Sequence, residues 1–189
     1  MHKYVHDLPI GAVQTCWVAA AVALLLAGFD VINLPDNQLL SVSEHLGIAM
    51  LFAGCTNLLV YIFNKKEIHG ARWLLADGLT TALLSVFPLF NKMLEPSVLP
   101  LFFGIWDLFL GVVKFIESTE LKDERIKGWQ TFLVIGVVEI CSGAASLLKP
   151  VDDYVGVNHV IAIIFFVQCI GYIFKMYFYN HLVDKRSKK

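Results

Sequence analysis

Apolar residues fill this chain in long stretches that are separated by short polar segments. Six such stretches can be marked, over residues 10–29, 44–63, 72–90, 97–117, 128–148 and 157–179. Each is long enough to cross a hydrocarbon layer of roughly 30 Å as an α-helix. The connections are too short to hold a soluble domain. The pattern therefore predicts an all-α polytopic membrane protein, with residues 1–189 forming a single integral membrane domain of six transmembrane helices.

Composition and charge agree with this interpretation. Only 16% of the 189 residues are charged, where a soluble domain has about 25%. The cations concentrate in the second and fourth connections, at Lys65, Lys66, Arg72, Lys122, Arg125 and Lys127, and in both terminal segments. By the positive-inside rule both termini are cytoplasmic. The basic residues are thus explained by membrane topology, and we expect no nucleic-acid partner.

The chain contains an internal repeat. Trp17, Trp73 and Trp129 follow one another at intervals of 56 residues, and Gly47 and Gly54 recur 57 residues later in the fourth stretch. Equal spacing of this kind indicates duplication. The repeated unit is one antiparallel helix hairpin, which occurs three times. Each of the three tryptophans lies near the cytoplasmic end of an odd-numbered helix, where indoles favour the headgroup level.

Two intramembrane acids lie on stripes of glycine. The spacing G-x2-[DE]-x3-G occurs twice, at Gly104, Asp107, Gly111 and at Gly136, Glu139, Gly143. Small residues on one helix face mark helix–helix contacts in membranes, so these four glycines are predicted packing positions. Asp107 and Glu139 share that face, and we expect them to point toward protein rather than lipid. Sequence alone does not tell whether the two acids meet.

The fourth and fifth stretches resemble the HdeD family of bacterial acid-resistance membrane proteins. The likeness rests on GIWDLFLGVVKFIES and WQTFLVIGVVEICSG, and on three helix hairpins that cover nearly the whole chain. The resemblance implies a six-helix, multi-pass protein of the inner cell membrane. It also implies a role in survival at low pH.

Intramembrane acids are candidate functional groups. Asp107 and Glu139 are predicted either to bind protons or to act as neutral hydrogen-bonding glue between helices. Lys114 shares the face of Asp107 and either balances the acids or, as we expect, snorkels to the interface. Asn57 and Gln168 either line a polar path with the acids or bond helices together. Asp77 lies close to Arg72 and to the basic second connection, and we expect an interfacial salt bridge there.

The remaining polar residues suggest little further chemistry. His45 and His159 lie near the outer ends of their helices and are candidate pH sensors. The four cysteines occur singly, without the spacing of a metal site or a disulfide framework. The sequence contains no phosphate-binding glycine loop, HExxH or GxSxG. We therefore expect no enzymatic activity, no cofactor and no bound metal.

These observations favour a non-enzymatic role in the response to acid or envelope stress, with protonation of Asp107 and Glu139 as the mechanism. One alternative is a small-solute or proton-coupled transporter or channel. Discontinuous helices would favour it, but the glycines lie on stripes and the prolines lie mostly near helix ends. A second alternative is a structural scaffold that binds another membrane protein. The lipid bilayer is the expected partner, and a second copy of the chain, in a homo-oligomer, or another membrane protein is a candidate further partner; the oligomeric state is left open.

Overall fold

The structure is a computed structural model that describes residues 9–33, 39–66, 68–90, 98–148 and 156–182. Its described part consists of helices joined by short turns, which confirms the predicted all-α class. The helices are α1 (Ile10–Ile32), α2 (Leu39–Asn64), α3 (Ala71–Leu84), α4 (Val86–Leu89), α5 (Leu99–Asp123), α6 (Trp129–Leu147) and α7 (Val157–Leu182). Together α3 and α4 make up the predicted third span, and α5, α6 and α7 are the fourth to sixth.

Five of these helices, namely α1, α2, α5, α6 and α7, are long and apolar enough to cross a membrane. The bundle also carries its apolar side chains outward, where Leu26, Leu83 and Val134 are about 60% exposed. A soluble protein would bury such residues and hydrate its charges. The outer surface is therefore suited to lipid.

The third span is interrupted, contrary to the continuous helix that the sequence analysis assumed. A turn at Ser85 separates α3 from α4. Pro88 lies in α4, where it has no backbone N–H to donate and its ring clashes with the carbonyl one turn before it. The Ser85 hydroxyl donates to the carbonyl oxygen of Ala82, at 2.6 Å. Ser85 itself keeps helical φ and ψ angles of −60° and −22°, so the third span is interrupted at one turn but is not unwound.

Three extensive contacts link consecutive hairpins into a ring. They join α2 to α3, α5 to α6 and α7 to α1. In each contact the second helix of one hairpin packs against the first helix of the next, and the contact between α7 and α1 closes the ring. The interior of the ring is therefore lined by helices from all three hairpins.

Glycine allows two of these contacts to be close. A Cβ at Gly111 would lie 2.7 Å from the backbone nitrogen of Ile140 and 2.8 Å from the carbonyl oxygen of Gly136. Gly54 meets the backbone of α3 in the same way, with Gly78 opposite. In the third contact Gly28 on α1 faces the ring of Phe166 on α7, where a Cβ would lie 2.6 Å from Cε1.

The helices extend beyond the predicted apolar stretches. α2 begins at Leu39 and α5 continues to Asp123, whereas the stretches were drawn over residues 44–63 and 97–117. The hydropathy pattern ends at the first charges, but a helix continues into the headgroup region wherever its backbone is not broken. The breaks lie at Gly70 and Gly128, whose left-handed φ angles of 72° and 97° precede α3 and α6.

Candidate functional site: a buried polar core

Charged and amide side chains from four helices meet inside the bundle. We call this set the polar core, and each member is at most 3% exposed. Its members are Asp77 on α3, Asp107 and Lys114 on α5, Glu139 on α6, and Gln168 and Lys175 on α7. Charges in such a site must be paired or neutralised, because desolvation of an isolated ion is very costly.

Lys114 and Glu139 form a buried ion pair at the centre of the polar core. The Lys114 ammonium donates to Glu139 Oε1 and, at 3.2 Å, to Gln168 Oε1. The expectation that Lys114 snorkels to the interface is therefore wrong. The physical reason is that Glu139 and Gln168 supply acceptors for the ammonium inside the bundle, so the lysine does not have to reach water.

Asp107 is held by uncharged donors. Gln168 donates from Nε2 to Asp107 Oδ1 at 2.9 Å, and the Ser142 hydroxyl lies 2.5 Å from Oδ2. The structure connects Asp107 to Glu139 through Gln168 and Lys114, and it gives no direct hydrogen bond between the two carboxyl groups. The two candidate acids therefore belong to one network without touching each other.

A second ion pair joins α3 to α7. Lys175 donates to Asp77 Oδ2, and the hydroxyl of Thr81 lies 3.3 Å from Asp77 Oδ1. The expected salt bridge of Asp77 exists, but it is buried and its partner is Lys175, so the interfacial location is wrong. Arg72 lies five residues before Asp77 on the same helix, and the two side chains therefore diverge by about 140° around the axis. Arg72 instead pairs with Glu120 at 2.9 Å, outside the core.

Asn57 forms a polar junction among α1, α2 and α7 that adjoins the polar core. Its Oδ1 accepts from Trp17 Nε1 at 3.1 Å, and its Nδ2 donates to the hydroxyl of Tyr172 at 2.8 Å. The ring of Tyr172 lies under the Lys175 ammonium, 5.1 Å from the ring centroid. Trp17 is 1% exposed, so it is a packed core residue and not the lipid-facing headgroup anchor that its position suggested.

The polar core reaches from one end of the bundle to about its middle. Glu117 is 7% exposed and lies below Gly70, whose own Cβ would be 3.4 Å from Glu117 Oε1. From Glu117 to Asp107 the axis of α5 advances by about 15 Å. Beyond Asp107 the rings of Phe103, Trp106 and Phe165 pack edge to face or tilted, at centroid distances of 5.4–6.3 Å. Aromatic packing therefore closes the core on that side.

Charge in the polar core does not balance when every group is ionised. Three carboxyl groups face two ammonium groups, and Glu117 adds a fourth acid at the end of the core. Within the described residues, Glu139 Oε2 is buried and makes no hydrogen bond to the protein. A proton on one of the three carboxyl groups of the polar core would remove its excess of one negative charge, to which an ionised Glu117 would add a second.

Sequence reasoning missed several members of this network. Lys175 was overlooked because a lysine one or two turns from a helix end normally snorkels. Ser142, Thr81 and Tyr172 carry no intramembrane charge, so nothing in their local pattern separates them from packing residues. The one usable signal was the face of Ser142, which follows Glu139 by three residues and so lies on the same side of α6.

The histidines lie away from the polar core. His45 and His159 are both exposed, and His45 Nδ1 is 3.9 Å from Asp30 Oδ2 in a pair whose side chains are more than half exposed. The acidic residues Asp36, Glu95, Asp152 and Asp153 lie outside the described residues. In the part of the chain that the structure describes, the His, Cys, Asp and Glu residues form no cluster able to hold a metal ion.

The fold and the polar core define a class of protein, namely a multi-pass all-α membrane protein with a lipid-facing surface and a buried ionisable interior. The particular family follows from the repeat. The chain belongs to the family described as "Short repeat of unknown function (DUF308)", which matches residues 19–90 and again residues 77–148. The two matches are offset by 58 residues, as are Gly70 and Gly128, and this confirms the predicted internal repeat. No curated protein and no solved structure matches the chain.

Proposed function

We propose that the polar core binds protons reversibly and that the protein is a non-enzymatic, HdeD-like component of the response to acid or envelope stress in the inner cell membrane. The observation that carries the proposal is the excess of buried carboxyl groups over buried ammonium groups. A bundle that cannot hold all its acids ionised has to take up a proton, and such uptake changes with the acidity of the adjoining water.

Ser142 provides a hydrogen-bonding partner for either state of Asp107. Its hydroxyl lies 2.5 Å from Asp107 Oδ2 and 2.9 Å from the carbonyl oxygen of Val138. When Asp107 is ionised, the single hydroxyl proton is donated to the carboxylate. When Asp107 is protonated, the acid donates to the serine oxygen and the serine donates to Val138. Both states are therefore satisfied without movement of a helix.

Proton uptake by Glu139, unlike that by Asp107, would alter the contact between α5 and α6. Glu139 and Asp107 flank the positions where Gly111 and Gly136 hold these helices in backbone contact. Neutralising Glu139 weakens its attraction for Lys114 and leaves that ammonium to its remaining acceptor, Gln168. The helix pair is thus the element that senses the proton.

Infrared titration of the protonated-carboxyl band in reconstituted protein tests the proposal. Wild type is compared with Asp107→Asn and Glu139→Gln, and Asp30→Asn, an exposed acid outside the core, is the matched control. Because burial shifts carboxyl protonation toward neutral pH, the proposal expects a band that titrates between about pH 5 and 8. Each core substitution should diminish this band, and the control should leave it intact. A band that is absent, that does not change with pH, or that the double variant Asp107→Asn/Glu139→Gln retains overturns the proposal.

Two observations favour proton-coupled transport as a second candidate. The third span is interrupted by one turn at Ser85, and the polar core extends from one end of the bundle to near its middle. Transporters place broken helices and polar groups at such depths. Proteoliposomes with an internal pH indicator separate the two candidates. Proton uptake with transmembrane flux that Glu139→Gln abolishes supports transport, and uptake without flux supports sensing.

A further inference from the structure

A basic pocket lies at the connection between α5 and α6. It has a volume of about 420 Å³, and its lining includes Lys122, Arg125 and Lys127 together with Trp129 and Gln130. All three cations are exposed, and within the described residues none of them forms an ion pair. The ammonium of Lys122 lies over the ring of Trp129, 5.1 Å from its centroid. The pocket therefore concentrates positive charge beside an indole.

An apolar groove of about 370 Å³ continues from this pocket along the membrane-facing surface. Gln130 lines both cavities. The groove runs between α6 and α7, and its apolar lining residues are Val134, Ile135, Val138, Val167, Ile170 and Phe174. From Gln130 to Val138 the axis of α6 advances by about 12 Å, most of the roughly 15 Å depth of one leaflet.

The backbone at Arg125 is an unusual feature of the pocket. Its φ angle is 57°, in the left-handed region that disfavours residues with a side chain. Ile126 N donates to the carbonyl of Leu121, and Arg125 N donates to that of Lys122. This is the Schellman helix end, in which glycine usually occupies the position that Arg125 holds. The fold thus keeps a cation where glycine would be less strained.

We propose that the pocket and groove together form a binding site for an anionic phospholipid. The phosphate and its substituent occupy the basic pocket, and one acyl chain lies in the groove between α6 and α7. Charge complementarity selects an anionic headgroup, because basic pockets beside transmembrane helices attract such lipids. The apolar groove, continuous with the pocket through Gln130, selects a lipid over a free phosphate.

Native mass spectrometry of the full-length protein in detergent tests the proposal, with phosphatidylglycerol and phosphatidylcholine of identical acyl chains as ligands. We expect phosphatidylglycerol to bind at least about tenfold more tightly. Lys127→Gln and Arg125→Gly should each weaken it about fivefold. Lys65→Gln is the matched control, since Lys65 also lies over an aromatic ring but outside the pocket. The melting temperature of Arg125→Gly should equal or exceed that of wild type, which separates lost binding from lost folding.

A second pair of variants tests the groove. Val134→Trp fills it and should weaken binding of phosphatidylglycerol, whereas Val137→Trp, at an exposed position of the same helix outside the groove, should not. Equal affinity for the two lipids overturns the proposal, as does a Lys65→Gln effect as large as that of Lys127→Gln. Full competition by glycerol phosphate, together with normal binding by Val134→Trp, also overturns it in favour of a site for small anions.

Discussion

Removal of the Lys114 ammonium is the sharpest test of how the polar core is held together. Lys114 is 2% exposed, and its partners are the carboxylate of Glu139 and the side-chain oxygen of Gln168. Lys114→Met keeps a similar volume but leaves the Glu139 carboxylate without a cation. Breaking one member of a buried ion pair costs about 3–5 kcal/mol of stability. Glu139→Leu is expected to cost a similar amount, since it removes the carboxylate partner of the buried ammonium and leaves Gln168 as its remaining acceptor.

The double variant Lys114→Met/Glu139→Leu should be far more stable than either single variant. Replacing a buried pair by apolar residues of similar size is often close to neutral. The double variant also removes the donor to Gln168 Oε1, and the loss of this hydrogen bond costs about 1–2 kcal/mol of stability. We therefore expect a net loss of about 1–2 kcal/mol in the double variant, against about 6–10 kcal/mol if the two substitutions acted independently.

The unfolding free energy is measured in mixed micelles of a mild detergent and dodecyl sulfate, at several pH values. Acid should partly rescue Lys114→Met, because a proton neutralises the unpaired Glu139 carboxylate. It should further destabilise Glu139→Leu, because the unpaired ammonium then stays charged. A double variant that loses the sum of the single losses would refute the ion pair. If acid changes the unfolding free energy of both single variants in the same direction, the assignment of a charged Lys114 and a charged Glu139 is refuted.

Two further predictions concern helix packing and the second ion pair. Gly111→Ala should destabilise the bundle by about 1–3 kcal/mol, because the new methyl group meets the backbone of α6. Gly11→Ala, which has no atom within 4 Å of the new Cβ, should be neutral in the same unfolding assay. Equal losses of stability in the two variants would contradict the close contact. Lys175→Met should cost about 3–5 kcal/mol of stability, because it leaves the buried Asp77 carboxylate without its cation. Arg72→Gln removes the exposed cation of the pair with Glu120 and should cost no more than about 1 kcal/mol. A larger loss for Arg72→Gln than for Lys175→Met would contradict the buried pairing.

The sequence determined the features that depend on neighbouring residues. Helix spans follow from runs of apolar residues, and the packing stripes follow from glycine at spacings that return to the same helix face. The face of Glu139 was predictable for the same reason, since Gly136 and Gly143 fix the side of α6 that meets α5. The repeat was also visible, because duplication leaves equal intervals along the chain.

Only the tertiary structure decided which charges meet. Lys175 and Asp77 are 98 residues apart, and Asn57 and Tyr172 are 115 residues apart. Each pair becomes adjacent because side chains of α7 reach across the interior of the ring to α2 and α3. Periodicity gives the direction of a side chain from its own helix, but it carries no information about which other helix lies opposite. The pairing of buried charges is therefore a property of the closed ring, in which desolvation makes every unpaired ion costly.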